Sequence, residues 1–493
     1  MRRRLVLLAL ALVVVGCSGD EDRSGPLESS LAYMPKDSPA VIALDTDLDG
    51  AQYDSLQEIL NRFPGGLNLE GLLADQLEGG TEGVDFERDV RPLLGNPFVV
   101  SATDVRTFVG ESEDDDFVAA LQVEDRDALD ALIEKTGAQE RGEAGGATLY
   151  EDDGTFFAVE DGNVVLAGSR VLLERAVERA AGDDHFDLST FERGVEGLPE
   201  EGLARLWLDV QALLAQSPDA EVARRIEWVR ALRTLGATAS VTDDSVDVEF
   251  NLRTSDLGEE DLPLAPGAEA PGSVQRPGEI GVAIRDPSQI VAFAEGALQA
   301  ADPQGFGEYE MGKRAIEERL GVDVDEDLFG QLAGDLSVSL ALDGSFGARA
   351  EVDDPQAFGE TIDTIAQALP QLGAGVGIAD VRRAGDLWEA TLADGDRFFF
   401  GVSDGAFVAA GTRARALELA GVRPAAVGGA EGSLVMAADA ERVALQLIEQ
   451  LGSQLGGLGA FGGGLFARQL DELTGSMESS RDGMRGRLRL TLD

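Results

Sequence analysis

The stretch Ala147 to Ala176, ATLYEDDGTFFAVEDGNVVLAGSRVLLERA, returns later in the chain as Ala390 to Leu419. Thr148 and Leu149 align with Thr391 and Leu392, Phe156 and Phe157 with Phe399 and Phe400, and Asp161-Gly162 with Asp404-Gly405. Gly168-Ser169-Arg170 aligns with Gly411-Thr412-Arg413, and no gap is needed anywhere. A segment that recurs with its aromatic pair, turn residues and helix-start residue in step is one supersecondary unit used twice. The chain is therefore a tandem duplication, and its fold must be built from two like halves.

The repeated unit reads directly as local structure. Short apolar runs, Thr155 to Val159 and Asn163 to Ala167, flank Asp161-Gly162, a pair that tolerates the positive φ of a tight hairpin turn. Ser169 and Thr412 then stand where a hydroxyl can accept from the first free amides of a helix, and Leu173, Ala176 and Val177 follow at helical spacing. Hairpins followed by a helix, with helices inserted between sets of strands, predict an α+β fold. The expectation is two tandem duplicated domains, each an antiparallel sheet with helices on one face.

The N-terminus speaks to compartment. Arg2, Arg3 and Arg4 precede an apolar run from Leu5 to Val15, and Val14-Val15-Gly16 places small residues before Cys17. About eleven apolar residues are too few to cross a bilayer at roughly 1.5 Å each. The pattern resembles the lipobox of bacterial lipoproteins, which implies cleavage before Cys17 and acylation, palmitate included, of that residue. The expected localisation is extracytoplasmic, anchored to the bacterial cell membrane by lipid, and Cys17 is the expected lipidation site. It is also the only cysteine, so disulfides and cysteine chemistry are absent from the rest of the chain.

The predicted organisation is a signal peptide over 1–16, a flexible tether over 17–30 and a first repeat domain over 31–256. A Pro/Gly-rich linker over 257–276, carrying Pro263, Pro266 and Pro271, then leads to a second repeat domain over 277–493. Ninety-two acidic against forty basic residues give a formal charge of −52, which repels phosphate backbones and excludes nucleic acid as a partner.

Chemistry is sparser. Asp45, Asp47 and Asp49 alternate before Gly50, as at the start of a calcium loop, but the twelfth position holds Leu56 where a bidentate acid is needed. The triplet is a candidate for weak calcium binding and no other cofactor is implied. His185 is the only histidine, which closes off histidine triads and multi-histidine metal sites. The uncharged run Leu451 to Leu465, LGSQLGGLGAFGGGL, is a candidate ligand flap through Gly456, Phe461 and Gly463.

The segments PKDSPAVIALDTDLD, RFPGG and GVDFERDVRPLLGNPFVV resemble bacterial extracytoplasmic proteins grouped as domain of unknown function (DUF) family 3352. That resemblance implies no activity, ligand or catalytic residue. Three functions stay open at this point. The first is a non-enzymatic binding or structural cell-envelope protein with an unknown protein partner. The second is a carrier of a lipid or other hydrophobic ligand in a concave sheet cavity. The third is a carboxylate-dependent hydrolase, with no catalytic residue singled out.

Overall fold

The computed structural model describes residues 24–63, 68–71, 74, 83–102, 116–152, 154–217, 220–255, 257–332, 334–372, 377–448, 464 and 466–493. They fall into two compact units: the described residues up to Ala220 with Arg233–Arg253, and Glu221–Leu232 with Thr254–Asp493. Cys17, Gly456, Phe461 and Gly463 lie outside the described residues.

Strands of the first unit are β1 (Ala40–Leu44), β2 (Phe98–Ala102), β3 (Phe117–Gln122), β4 (Gln139–Ala144), β5 (Ala147–Asp152) and β6 (Thr155–Glu160). β7 (Asn163–Ala167), β8 (Ala204–Asp209), β9 (Leu232–Val241) and β10 (Ser245–Thr254) complete the set. They hydrogen-bond in the order β4-β5-β6-β7-β3-β2-β1-β8-β9-β10, antiparallel from β4 through β9.

The second unit supplies β11 (Glu279–Arg285), β12 (Asp335–Ala341), β13 (Phe346–Glu351), β14 (Ile378–Ala384), β15 (Leu387–Leu392) and β16 (Arg397–Ser403). β17 (Ala406–Ala410), β18 (Leu434–Asp439), β19 (Leu470–Ser480) and β20 (Gly483–Leu492) follow. Their order is β14-β15-β16-β17-β13-β12-β11-β18-β19-β20, antiparallel throughout. Strand for strand this is the order of the first unit, so the α+β duplication extends well beyond the repeated stretch that revealed it.

The repeated turns and caps behave as their chemistry demands. Asp161 and Gly162 have φ of 47° and 85°, and Asp404 and Gly405 have 50° and 80°. Positive φ at both central residues is the hairpin geometry that matches the twist of the flanking strands. Ser169 accepts from the Leu172 amide at 3.3 Å and Thr412 from the Arg415 amide at 3.2 Å. They open α-helices Arg170–Ala180 and Arg413–Gly421.

Three expectations are corrected. First, the helices of the first unit cover both faces of the sheet. We label them α1 (Ser24–Leu31), α2 (Ala51–Arg62), α3 (Arg126–Thr136), α4 (Arg170–Ala180) and α5 (Leu188–Val195). On one face, Val41, Val99, Val118, Val165 and Trp207 pack with Leu31 of α1, Leu173 of α4 and Phe191 of α5. On the other, Leu44, Phe98, Ala119 and Leu121 pack with Tyr53 of α2, Leu129 of α3 and Phe86. The physical reason is that a strand buried on both sides carries a continuous apolar run, as AVIAL does in β1, and gives no polar face to water.

Second, residues 24–30 are not tether but most of α1, with Ser30 and Leu31 fully buried. Third, residues 257–276 are not a free linker. Leu257, Leu262, Leu264 and Val274 are buried, and Ser273 exchanges backbone hydrogen bonds with Ala425 at 2.8 and 3.0 Å. Prolines remove the period without removing the apolar side chains, so the segment packs as an extended strap of the second unit.

Candidate functional site

In the first unit, the turn between α2 and β2 is built from Gly83-Val84-Asp85 onward. Gly83 has φ 87°, and a π-helical turn, Phe86–Val90, is followed by a 3-10 turn, Arg91–Leu93. Asp85 and Asp89 cap it reciprocally: Asp85 accepts from the Arg88 amide at 3.0 Å, and Asp89 accepts from the Asp85 amide at 2.7 Å. The repeat in the second unit does the same, Asp323 accepting from the Glu326 amide at 2.9 Å and Asp327 from the Asp323 amide at 2.9 Å.

Asp89 also ties this turn to α3. Its carboxylate pairs with Lys135 in the last turn of that helix and accepts from Arg88 Nε at 3.0 Å. Those partners, with the Asp85 amide, hold Asp89 well below the usual carboxylate range: Arg88 is the largest influence, then Lys135.

Between the turn, α3 and the sheet lies an apolar cavity of about 160 Å3. Val84, Val90, Leu93 and Leu94 line it from the turn, and Leu129, Leu132 and Ile133 from α3. Phe98, Leu121, Phe157, Val164 and Leu166 contribute from the strands, which alternate so that these residues share one face. Phe157 is held by Tyr150 stacked on it, ring centroids 5.1 Å apart. Of the fifteen lining residues only Thr136 and Asp152 are polar, so nothing in the wall can hold a shell of water and the space is dry.

The second unit fills the corresponding place. Its outer helix α8 (Pro355–Leu372) follows two others, α6 (Pro287–Ala301) and α7 (Pro303–Leu320), and α9 (Arg413–Gly421) packs on the opposite face. Phe358 stands after Asp354 as Leu129 stands after Asp125, and Phe407 stands in β17 where Val164 stands in β7. The two rings meet edge to face at 5.7 Å and 83°, with Phe358 only 1% exposed. The cavity of the first unit is thus not a necessity of the architecture.

The other candidates resolve into local structure. Asp47 donates its amide to Asp45 Oδ1 at 3.1 Å, Asp49 donates to Asp47 Oδ1 at 3.2 Å, and Asp49 pairs with Arg91 at 2.6 Å. The three carboxylates form successive turns leading into α2. Among the described residues the carboxylates that do converge are Glu317, Asp323 and Asp325, with oxygens within 4.8 Å of one another. Glu317 accepts from the Val324 amide, Asp323 from two backbone amides, and Asp325 pairs with buried Lys313, so each is engaged in closing α7. Burial pulls the Lys313 ammonium down, but Asp325 and Glu295 outweigh it and hold the group above its ordinary value. Tyr309, desolvated and donating to Glu295 at 2.5 Å, is pushed up to about 12. His185 is half-buried with Nδ1 3.1 Å from its neighbour's carbonyl, that of Phe186. Among the described residues no helix is long and apolar enough to cross a membrane.

The family whose pattern matches residues 4–369 is described as "Protein of unknown function (DUF3352)". The chain belongs to that family. The turn that walls the cavity, the caps of α3 and α8, and most of both sheets lie inside the matched region. No curated protein matches the chain. Among solved structures it is similar to TP0453 in crystal forms III, I and IV, at 8%, 12% and 11% identity. The TM-scores are 0.27, 0.27 and 0.28, covering 46%, 46% and 45% of this chain and 81%, 80% and 80% of those chains.

The cavity was beyond sequence reasoning because it is a difference in volume among residues far apart in the chain. The one readable signal was the pairing of the two GVD segments, which marks the walling turn without revealing the space beneath it.

Proposed function

We propose that this chain is a non-enzymatic extracytoplasmic binding protein, held at a bacterial membrane through acylated Cys17, whose first unit takes up a small apolar ligand. The observation that carries the binding part is the dry cavity of about 160 Å3, whose counterpart position in the second unit holds Phe358 and Phe407. An apolar cavity of roughly 150 Å3 holds a molecule the size of benzene, so the ligand is a small apolar body or one short chain and not a whole diacyl lipid. The basic and apolar leader before Cys17 supports the anchor, and the charge of −52 gives it no help from anionic lipid.

Two measurements test this. Wild-type chain expressed in a bacterial host with labelled palmitate is expected to take up label and fractionate with membranes, and Cys17→Ser to do neither; equal labelling would remove the anchor. Purified full-length protein is expected to bind benzene or 1-hexanol with a thermal shift that saturates at one equivalent. Absence of any saturable shift would remove the binding role and return the chain to a purely structural or protein-binding part in the envelope.

A further inference from the structure

The polar lining of the cavity tells which end-group a ligand must carry; this rests on the reading of the cavity as a ligand site. Thr136 and Asp152, the two polar residues of the wall, are both only half-buried, as are Leu132 and Ile133 beside them, so they mark the side open to solvent. The Thr136 hydroxyl donates to the Ile133 carbonyl at 3.2 Å. Its proton is committed, and what it offers a ligand is acceptance. An ionised carboxylate at Asp152 accepts only, and its several lone-pair directions leave room beside the contacts it already makes.

A third acceptor comes from the backbone. Thr136 closes α3 and Gly137 caps it at φ 72°, so the partial negative charge of the helix C-terminus lies at the same rim. Lys135, the basic residue of that last turn, is engaged by Asp89. The rim is a set of acceptors around an apolar hole.

We propose that the cavity selects small amphiphiles whose polar end donates hydrogen bonds, primary amines and alcohols on a chain of about six carbons, the size that a cavity of ~150 Å3 takes. It rejects carboxylates and phosphates of the same chain length. An ammonium gains both the hydrogen bonds and the charge of Asp152, an alcohol gains the hydrogen bonds alone, and an anion meets repulsion in place of a donor.

The experiment is titration of the full-length protein with hexylamine, 1-hexanol and hexanoate at neutral pH and about 0.15 M salt, where long-range attraction to the acidic surface is screened. Expected affinities fall in the order hexylamine, hexanol, hexanoate, with hexanoate at least tenfold weaker than hexanol. Asp152→Asn should narrow the gap between hexylamine and hexanoate at least threefold while leaving hexanol within twofold. Hexanoate binding as tightly as hexanol, or a gap unmoved by Asp152→Asn, overturns the selectivity and leaves the apolar site standing. Failure of all three compounds and of benzene overturns the site itself. A hexylamine signal that persists unchanged in Leu129→Trp, with the cavity blocked, assigns that signal to the surface and counts against the proposal.

Discussion

Leu129 offers a test whose sign depends on whether the space beneath α3 is real. The side chain is 4% exposed and lines the cavity, and the second unit carries Phe358 at the matching position. Leu129→Ala removes three methyl or methylene groups, about 2.4 kcal/mol at ~0.8 kcal/mol each, and the void it enlarges adds a cavity cost. The expected loss is about 3–4 kcal/mol. Leu129→Phe separates the alternatives. In a close-packed core, adding a ring where Leu stood costs roughly 1–3 kcal/mol through strained rotamers and shifted backbone. Beside an open volume of about 160 Å3 the extra atoms enter free space, and stability should stay within about 1 kcal/mol of wild type. Leu129 is a cleaner choice than Val164, because Val164 faces Leu121 across the strands whereas Phe407 faces the smaller Ala350. Hydrogen–deuterium exchange of α3 and β7 peptides in the full chain reports the first unit alone. A Leu129→Phe variant destabilised by more than about 2 kcal/mol would refute the reasoning, since only a filled core resists in that way.

Two further outcomes follow from the same residues. Asp89 is depressed in the folded state, so its stabilisation is complete above the ordinary carboxylate value of about 3.9 and is lost as pH falls through the lower folded-state value. Asp89→Asn should cost about 1–2 kcal/mol at neutral pH and flatten the acid limb of stability below about pH 4; parallel acid limbs in urea titrations would contradict this. Gly405 has φ 80° with open space where a Cβ would go, so Gly405→Ala should cost only the backbone penalty of about 1 kcal/mol. At Gly162, with φ 85°, an added Cβ would stand 2.5 Å from Arg126 Nε, so Gly162→Ala should cost more, and equal urea midpoints for the two variants would argue against the turn reading.

What could be read from the chain was what short-range chemistry decides. Asp161-Gly162 and Asp404-Gly405 specify their turns by backbone preference alone, and Ser169 and Thr412 specify helix starts through one hydrogen bond each, so both survive any tertiary context. Burial on two faces is a tertiary property, and its sequence trace in AVIAL and FVAALQ is a missing alternation, which is easily taken for a short core strand of either kind. The strap over 257–276 misled for a related reason: Leu262 and Leu264 pack in a segment of irregular backbone, where no period exists to announce them. The cavity is hardest of all, since it depends on Leu129, Val164 and the turn at Val84 to Leu94 meeting with small side chains together.

The comparison of the two copies bears on why the space exists. At ~24 cal/mol per Å3, an unfilled volume of about 160 Å3 represents up to about 4 kcal/mol of forgone stability, a large fraction of what a domain commands. Filling such a hole is among the simplest stabilising changes available to a protein. The same strand order, the same capped turn and the same outer helix coexist in the second unit with an aromatic pair in that position, so the backbone does not forbid filling. A void that the fold can close in one copy and leaves open in the other is accounted for by an occupant that the first unit meets and the second does not.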